Sequence, residues 1–156
     1  MLTATVICTA VAALVSYPAI CSMEPTKYTN RDLEVKEIML RPKEVVCKWL
    51  DAFNTHDVEE ITSLYHENAT NHQVTNEPVV GIEAIRTMFT NEFATADMTA
   101  IVENIFEDGQ WAILEWKDPL GLRGCGFFHV VNGKILFQRG YWDKLSFLKQ
   151  HNLPIA

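Results

Sequence analysis

Two short stretches of this 156-residue chain carry side chains that could transfer a proton. Asn71, His72 and Gln73 follow one another in the first stretch, and Glu115 and Lys117 stand two apart in the second. An imidazole has an unperturbed pKa near 6.5, so it can act as an acid or a base close to neutral pH. A carboxyl group can do the same once burial raises its pKa. With amides beside them to hold a water or a carbonyl, these residue types favour acid–base chemistry on a small molecule.

Other kinds of site find little support in the sequence. His56, His66, His129 and His151 show no metal-ligand spacing, and no cofactor motif appears. Twenty acidic residues against thirteen basic ones give a net charge of −7. That charge argues against a nucleic-acid partner and against docking on an anionic membrane surface. We therefore expect no metal, no cofactor and no nucleic acid.

The second stretch belongs to a run of strands between Asp108 and Asp143. Asp108-Gly109 opens the first strand, Pro119-Leu120-Gly121 leads into the second, and Asn132-Gly133 leads into the third. Asn-Gly between apolar runs is a strong hairpin signal, because both central residues of a type I′ turn need a positive φ. Val, Ile, Phe, Trp and Tyr, which favour strands, fill the segments between the turns. We predict three consecutive antiparallel strands, around which the rest of the chain is organised.

Helical patterns precede these strands. An apolar stripe at i, i+3, i+4 and i+7 predicts a first helix, and it consists of Val46, Trp49, Leu50 and Phe53. Asp57 is suited to cap a second helix, and Gly81 to start a third. Further strands are predicted over residues 69–74 and 98–106, and a short helix after Asp143. Helices that come before a run of antiparallel strands predict an α+β fold.

Two segments of different character precede the predicted domain. Residues 1–22 contain no charged side chain, which is compatible with a signal peptide, a membrane anchor or an extension of a cytoplasmic protein. We favour the signal peptide, so that the protein would be secreted or exported. Membrane contact is expected only if the segment is an uncleaved anchor. Residues 23–38 are predicted to form a polar connector and residues 39–156 the folded domain, with no contribution to the core from the segments before it.

Three stretches of the domain resemble a known superfamily. They are VVCKWLDAFNTHDVEEITSLYHENAT, GIEAIRTMF and VVNGKILFQRGYWD. The domain is similar to the cone-shaped superfamily of nuclear transport factor 2, ketosteroid isomerase and the SnoaL-like polyketide cyclases over about Met39 to Ile155. The resemblance implies a curved antiparallel sheet wrapped by N-terminal helices, with a small-molecule pocket between them. It implies a fold and not a reaction, because the superfamily contains enzymes, transport factors and binding modules.

The resemblance to ketosteroid isomerase offers two positions for a general base. Counting forward from the second helix gives Gln73, and counting back from Gly81 gives His72, of which His72 alone could accept a proton. The tyrosine of the isomerase's oxyanion hole matches Trp49. Isomerase chemistry of that kind is therefore not expected here.

Limonene epoxide hydrolase, from the same superfamily, is closer in spacing. Its water-positioning Tyr and Asn match Asn71 and Gln73, and its Arg-x-Asp pair falls on Glu115 and Lys117. Its second Asp falls on Gly140, so two of the acids that open the epoxide are missing. A Glu-Lys arrangement could still polarise a substrate.

The orientation of the strand WAILEWKD stays open. Glu115 shares one strand face with Trp111, Ile113 and Lys117, and alternation by default turns that charged face toward water. The resemblance places Glu115 inward, and a shift of one residue would exchange the two faces.

We predict that the pocket uses His72 or Glu115 as its acid or base. The other residues expected to line it are Trp49, Asn71, Gln73, Lys117, Gly124, Gly126, Phe128, Gln138 and Trp142. The two glycines would thin the wall for a ligand or a close helix. The expected function is the binding of an apolar or amphipathic small molecule, by a cofactor-free isomerase, cyclase or hydrolase or by a non-catalytic ligand-binding or interaction module.

The outer face of the predicted sheet is too apolar to remain bare. Its side chains are Arg123, Cys125, Phe127 and His129, with Arg139 and Tyr141 nearby. An exposed patch of this kind marks an interaction site. We predict a homodimer formed through this convex face by a two-fold contact.

Overall fold

The computed structural model describes residues 39–155. Within that range the elements are α1 (Pro42–Asn54), α2 (Val58–Ser63), β1 (Tyr65–Gln73), β2 (Val79–Val80), α3 (Ile82–Thr95), β3 (Ile101–Asp108), β4 (Trp111–Lys117), β5 (Arg123–Val131), β6 (Lys134–Trp142) and α4 (Lys144–Gln150). The leader predicted over 1–22 and the connector predicted over 23–38 lie outside the described residues. In the described range no helix combines the length and the hydropathy needed to cross a bilayer.

The six strands form one sheet in the order β2-β1-β6-β5-β4-β3. Strands β3 to β6 pair antiparallel with their sequence neighbours, as predicted. Asn132 and Gly133 both have positive φ, at 52° and 73°, as the predicted Asn-Gly turn requires. The pair β1–β6 departs from the prediction because it is parallel. Parallel neighbours need a long crossover, and here β2, α3 and the strands β3 to β5 supply it.

The helices cover one face of this sheet. The predicted stripe of α1 is confirmed, since Val46, Trp49 and Leu50 are buried and the helix packs on β3, β4 and β5. Asp57 caps α2 by accepting a hydrogen bond from the Glu60 backbone N–H. Gly81 precedes α3 with a φ of 89°, which a side chain would strain. The predicted α+β fold, a curved sheet wrapped by helices, is confirmed.

Strand alternation defines two faces of the sheet. On β4 the side chains of Ala112 and Leu114 are buried under the helices, and Trp116 shares their side. We call this side the inner face. Trp111, which is 37% exposed, lies on the opposite side, the outer face. The charged residues of β4 belong to the outer face, so the default orientation of this strand is the observed one.

Candidate ligand-binding site

A cavity of about 650 Å³ lies between the inner face of the sheet and the helices α1, α3 and α4. Its walls are rich in aromatic rings, and these are Trp49, Phe53, Phe89, Trp116, Phe128, Trp142 and Phe147. The rings pack on one another: Trp49 lies 5.0 Å from Phe53 and 5.3 Å from Phe128, measured between centroids. A volume of this size is typical of sites for small organic ligands.

A buried polar network begins where α1 meets β1. The Trp49 indole N–H donates to the Tyr65 hydroxyl oxygen at 2.9 Å, and that hydroxyl donates to Gln138 Oε1. Asn71 Nδ2 donates to the same Oε1 at 3.1 Å and to the Tyr65 oxygen at 3.3 Å. Asn71 is 1% exposed and Gln138 3% exposed. Both amides therefore depend on protein partners and not on water for their hydrogen bonds.

The network continues toward Trp142 through a second amide. Gln73 Nε2 donates to Asn71 Oδ1 at 2.9 Å, and the Trp142 indole N–H donates to Gln73 Oε1 at 3.0 Å. Gly140 makes this possible, because a Cβ at that position would overlap the Gln73 side chain. We call the six connected side chains the polar network: Trp49, Tyr65, Asn71, Gln73, Gln138 and Trp142.

The polar network carries no charge. Burial raises the pKa of Tyr65 far above its ordinary value, and the hydrogen bonds from Trp49 and Asn71 only partly oppose that shift. The phenol therefore stays protonated, and it acts as a hydrogen-bond donor. Both hydrogen bonds that Gln138 makes within the described residues use its Oε1, which leaves its amide N–H groups to a bound molecule. The network can orient an acceptor oxygen, but it cannot take up a proton.

Glu92 is the acidic side chain in the apolar part of the wall. It lies on α3 one turn after Phe89, and both residues line the cavity. Burial raises the pKa of Glu92 to about 7, with no hydrogen bond or ion pair from a described residue to offset it. A carboxyl group with that pKa can either hold or release a proton near neutral pH. Glu92 is thus the group in this cavity that is suited to acid–base work.

Neither the place of Glu92 in the cavity wall nor the role of Tyr65 was predicted from the sequence. Glu92 stands seven residues after the buried Ile85 and three after the buried Phe89, so it continues their helical stripe. A carboxyl group on the apolar stripe of a helix is the signal that could have identified it. For Tyr65, nothing in the sequence spacing indicates that its hydroxyl connects two amides and an indole.

Six of the residues predicted to line the pocket do line the cavity. They are Trp49, Gln73, Gly126, Phe128, Gln138 and Trp142. Asn71 lies behind them, where it joins Gln73 to Gln138. The β1–β6 pairing therefore brings the amides of these two strands together.

Neither of the two residues predicted to transfer a proton lines the cavity. Glu115 alternates with the inner residues Leu114 and Trp116, so it lies on the outer face, where it accepts a hydrogen bond from Asn104 Nδ2 at 2.6 Å. His72 lies between two inner amides on β1, and its neighbour across the β1–β6 pair is Arg139. This geometry corrects the expectation that Glu115 and His72 face a bound molecule.

Two further residues that were predicted to line the pocket do not line the cavity. The Lys117 ammonium lies 3.4 Å from Glu103 Oε1, in an ion pair that Arg123 shares. Gly124 is covered by the Trp116 ring, because a Cβ there would stand 2.5 Å from Trp116 Cζ2. Gly124 therefore makes room for a side chain of the wall, and the space beside it is not open to a ligand.

Polar and charged side chains also occur in the rest of the lining. Asp97, Asp118, Lys144 and His151 belong to it. Lys144 Nζ donates to Asn76 Oδ1 at 2.9 Å. Among residues 39–155, no three side chains of His, Cys, Asp or Glu lie close enough together to hold a metal ion. Among the carboxyl groups that line the cavity, Glu92 is the one whose pKa burial raises to about 7.

The fold is similar to those of several solved structures. An NTF2-like protein of unknown function from Cytophaga hutchinsonii superposes with a TM-score of 0.62 at 17% identity, covering 72% of this chain and 98% of that one. The epoxide hydrolase/cyclase-like enzyme SalBIII gives a TM-score of 0.60 at 22% identity, covering 67% and 92%. An LEH-like epoxide hydrolase from M. tuberculosis gives 0.59 at 21% identity, covering 67% and 84%. These superpositions show that the chain shares the fold of the three proteins.

The sequence itself matches a family model. A search of curated proteins found no significant match. The model of the SnoaL-like domain matches residues 46–137, which include α1 from Val46 onward, the polar network up to Gln73, and α3 with Glu92. The match extends over more than half of the chain, and the chain therefore belongs to the SnoaL-like domain family.

Proposed function

We propose that this protein binds an apolar or amphipathic small molecule in the cavity between the sheet and the helices. The observation that carries the proposal is the polar network, which is uncharged, hydrogen-bonded from Trp49 to Trp142 and buried at Tyr65, Asn71 and Gln138. It borders an aromatic cavity of about 650 Å³. Ordered amides in an apolar wall give a ligand orientation and specificity, while the rings supply contact area. The superpositions on SalBIII and on an epoxide hydrolase support a small-molecule role.

The chemistry of the polar network restricts the polar end of the ligand. The oxygens of Gln73 and Gln138 already accept hydrogen bonds from Trp142, Tyr65 and Asn71. What they can still offer is amide N–H, so the matching ligand group is an acceptor such as a carbonyl, an ether or a hydroxyl oxygen. A ligand without such an acceptor would leave buried donors unsatisfied, at a cost of about 1–3 kcal/mol each.

Thr95→Trp is expected to weaken ligand binding. Thr95 lines the cavity at the end of α3 and is solvent-exposed, so an indole there fits the helix but occupies ligand space. Binding of a neutral solvatochromic dye such as Nile red, followed by fluorescence titration, should weaken by about tenfold or more.

Thr90→Trp is the matched control. Thr90 lies on the same helix, and its hydroxyl also donates to the carbonyl four residues earlier, but it is not part of the cavity wall. The dissociation constant of the Thr90→Trp variant for Nile red should stay within about twofold of the wild-type value. Equal affinities of the two variants for the dye would contradict the proposed site.

A second candidate function is acid–base catalysis on the bound molecule, and Glu92 favours it. Its carboxyl group has a pKa raised by burial to about 7 and lines the same cavity as the N–H donors of Gln73 and Gln138. A carboxylate that takes up a proton while an N–H group binds the developing oxyanion is sufficient for an isomerase, cyclase or hydrolase without a cofactor.

Glu92→Gln should then abolish turnover without abolishing binding. We expect activity on a panel of β,γ-unsaturated ketones and epoxides to fall by about 10²–10⁴-fold, while the affinity for the neutral dye stays the same. Activity that survives in the variant would assign the proton transfer to another group. A wild-type protein that binds the dye but turns over no member of the panel would favour the non-catalytic binding module.

The proposal extends to assembly as a homodimer through the outer face. The Arg139 guanidinium lies 5.5 to 6.0 Å from the ring centroids of Phe127, Phe137 and Tyr141, and Trp111 stacks on His129 at 4.6 Å. Tyr141 is 41% exposed. A second copy of the chain is the occupant that this aromatic surface suits, through a contact in which each patch meets its own equivalent.

Phe127→Glu should convert that dimer to a monomer. Near a two-fold axis the substitution places two carboxylates close to each other and removes two rings from the contact. Sedimentation velocity at micromolar concentration checks this, with Leu145→Glu, an exposed apolar residue on α4, as the control that stays dimeric. Wild-type protein that sediments as a monomer would contradict the assembly.

A further inference from the structure

The Glu92 carboxyl group lies in an environment that a lone carboxylate does not favour. It belongs to the cavity wall one helical turn after Phe89, and burial raises its pKa. A carboxyl group removed from water is accommodated either by keeping its proton or by pairing with a cation. If the protein does not supply such a cation, the ligand can.

The described part of the chain does not provide that cation. Lys144 is the one lysine or arginine among the described residues that line the cavity, and its ammonium group bonds to Asn76. The other ionised groups of the wall include Asp97 and Asp118, which add negative charge. The electrostatic potential in the cavity consequently favours a positively charged ligand and disfavours an anionic one.

Aromatic rings line the same cavity as the carboxyl group. Phe89 precedes Glu92 by one helical turn, and the Trp49 ring packs against Phe89 with centroids 6.4 Å apart. Phe53 stacks on Trp49 at 5.0 Å and also lines the cavity. The face of an aromatic ring attracts a cation, and the attraction is stronger where water is excluded.

We propose that Glu92 and the rings of Trp49, Phe53 and Phe89 form a subsite for a protonated amine, so that the ligand is an amphipathic amine. The inference rests on the proposed small-molecule function and adds the charge of the ligand to it. The ammonium group lies against Glu92, the apolar body fills the aromatic cavity, and an acceptor oxygen on the ligand meets the N–H groups of Gln73 and Gln138. In the absence of the amine, a proton on Glu92 takes the place of the ammonium group.

Three probes of matched size test the charge preference. They are 4-phenylbutylamine, 4-phenylbutan-1-ol and 4-phenylbutyrate, which are cationic, neutral and anionic near neutral pH. We expect the wild-type protein to bind the amine about tenfold or more tightly than the alcohol, and the carboxylate least tightly, by calorimetry or dye displacement. This comparison uses unmodified protein, so it does not depend on the folding of a variant.

Glu92→Gln and Glu83→Gln separate a local from a general charge effect. Both remove one carboxylate from α3, but Glu83 is exposed beside Arg86 and is not part of the cavity wall. We expect the first variant to lose the preference for the amine while keeping its affinity for the alcohol, and the second to keep both. If the amine and the alcohol bind wild type equally, the amine subsite is overturned and the small-molecule pocket stands. If none of the three probes binds, both proposals fail.

Discussion

Replacing Asn71 with leucine should lower the free energy of unfolding by about 2–4 kcal/mol, because one buried amide serves three partners. Asn71 donates to Gln138 Oε1 and to the Tyr65 hydroxyl, and it accepts from Gln73 Nε2. Leucine has nearly the same shape but offers neither donor nor acceptor. The substitution therefore removes the hydrogen-bond acceptor of Gln73 Nε2 and one donor to Gln138 Oε1, and both glutamines border the cavity.

Urea denaturation followed by circular dichroism measures this loss, and Asn104→Leu is the matched control. Asn104 is exposed and makes one hydrogen bond, to Glu115, so its replacement should change stability by no more than about 0.5 kcal/mol. The affinity of Asn71→Leu for a neutral dye should also fall, since Gln73 and Gln138 lose the partner that orients them. A variant as stable as the control would mean that water replaces Asn71 and that the network is not closed.

The framework of this fold was predictable from local sequence because its signals are local. The Asn132-Gly133 turn depends on two adjacent residues, and the stripe of α1 depends on one period of 3.6. Such signals place β5, β6 and the first helix without any knowledge of their neighbours. The parallel position of β1 beside β6 depends on how the whole chain crosses the sheet, and no residue in β1 encodes it.

The orientation of β4 shows why the site was harder to predict than the fold. Its two faces differ by a single residue of register, and alternation alone placed the charged face toward water. The superfamily resemblance argued for the opposite orientation of Glu115, but the resemblance fixes the fold and does not fix each side chain. The burial of Ala112 and Leu114 under the helices determines the answer, and α1, which packs on β4, lies far from it in the sequence.

Gly140 and Glu92 also show that the role of a site residue depends on the folded structure. An alignment to an epoxide hydrolase shows Gly140 only as a missing acid, whereas in the structure its lack of a Cβ gives Gln73 its place beside Trp142. A glutamate such as Glu92 on a helix looks like a solvated surface residue when the sequence is read alone. Its desolvation arises from the packing of α3 over the sheet, and that packing is a property of the assembled domain.

The same desolvation predicts how stability changes with pH. The folded-state pKa of Glu92 is about 7, whereas the ordinary value is 4.5, so between these pH values the folded state holds a proton that the unfolded state has released. Folding is therefore favoured at low pH, and the contribution declines as pH rises through this window. Between pH 4.5 and pH 8 the wild-type protein should lose up to roughly 3 kcal/mol relative to Glu92→Gln, whose amide does not titrate.

Chemical denaturation of both proteins across this range isolates the Glu92 contribution. Asp97, Asp118, Lys144, His151 and Tyr65 also line or border the cavity, but they are present in both proteins, so their titrations largely cancel in the difference. Glu83→Gln should follow the wild-type profile, because that carboxylate is exposed. A saturating amine should flatten the wild-type decline, since the ammonium group stabilises the ionised carboxylate that the folded protein otherwise disfavours. A difference between wild type and Glu92→Gln that stays constant with pH would show that water solvates Glu92, and both its acid–base role and its amine subsite would then lose their physical basis.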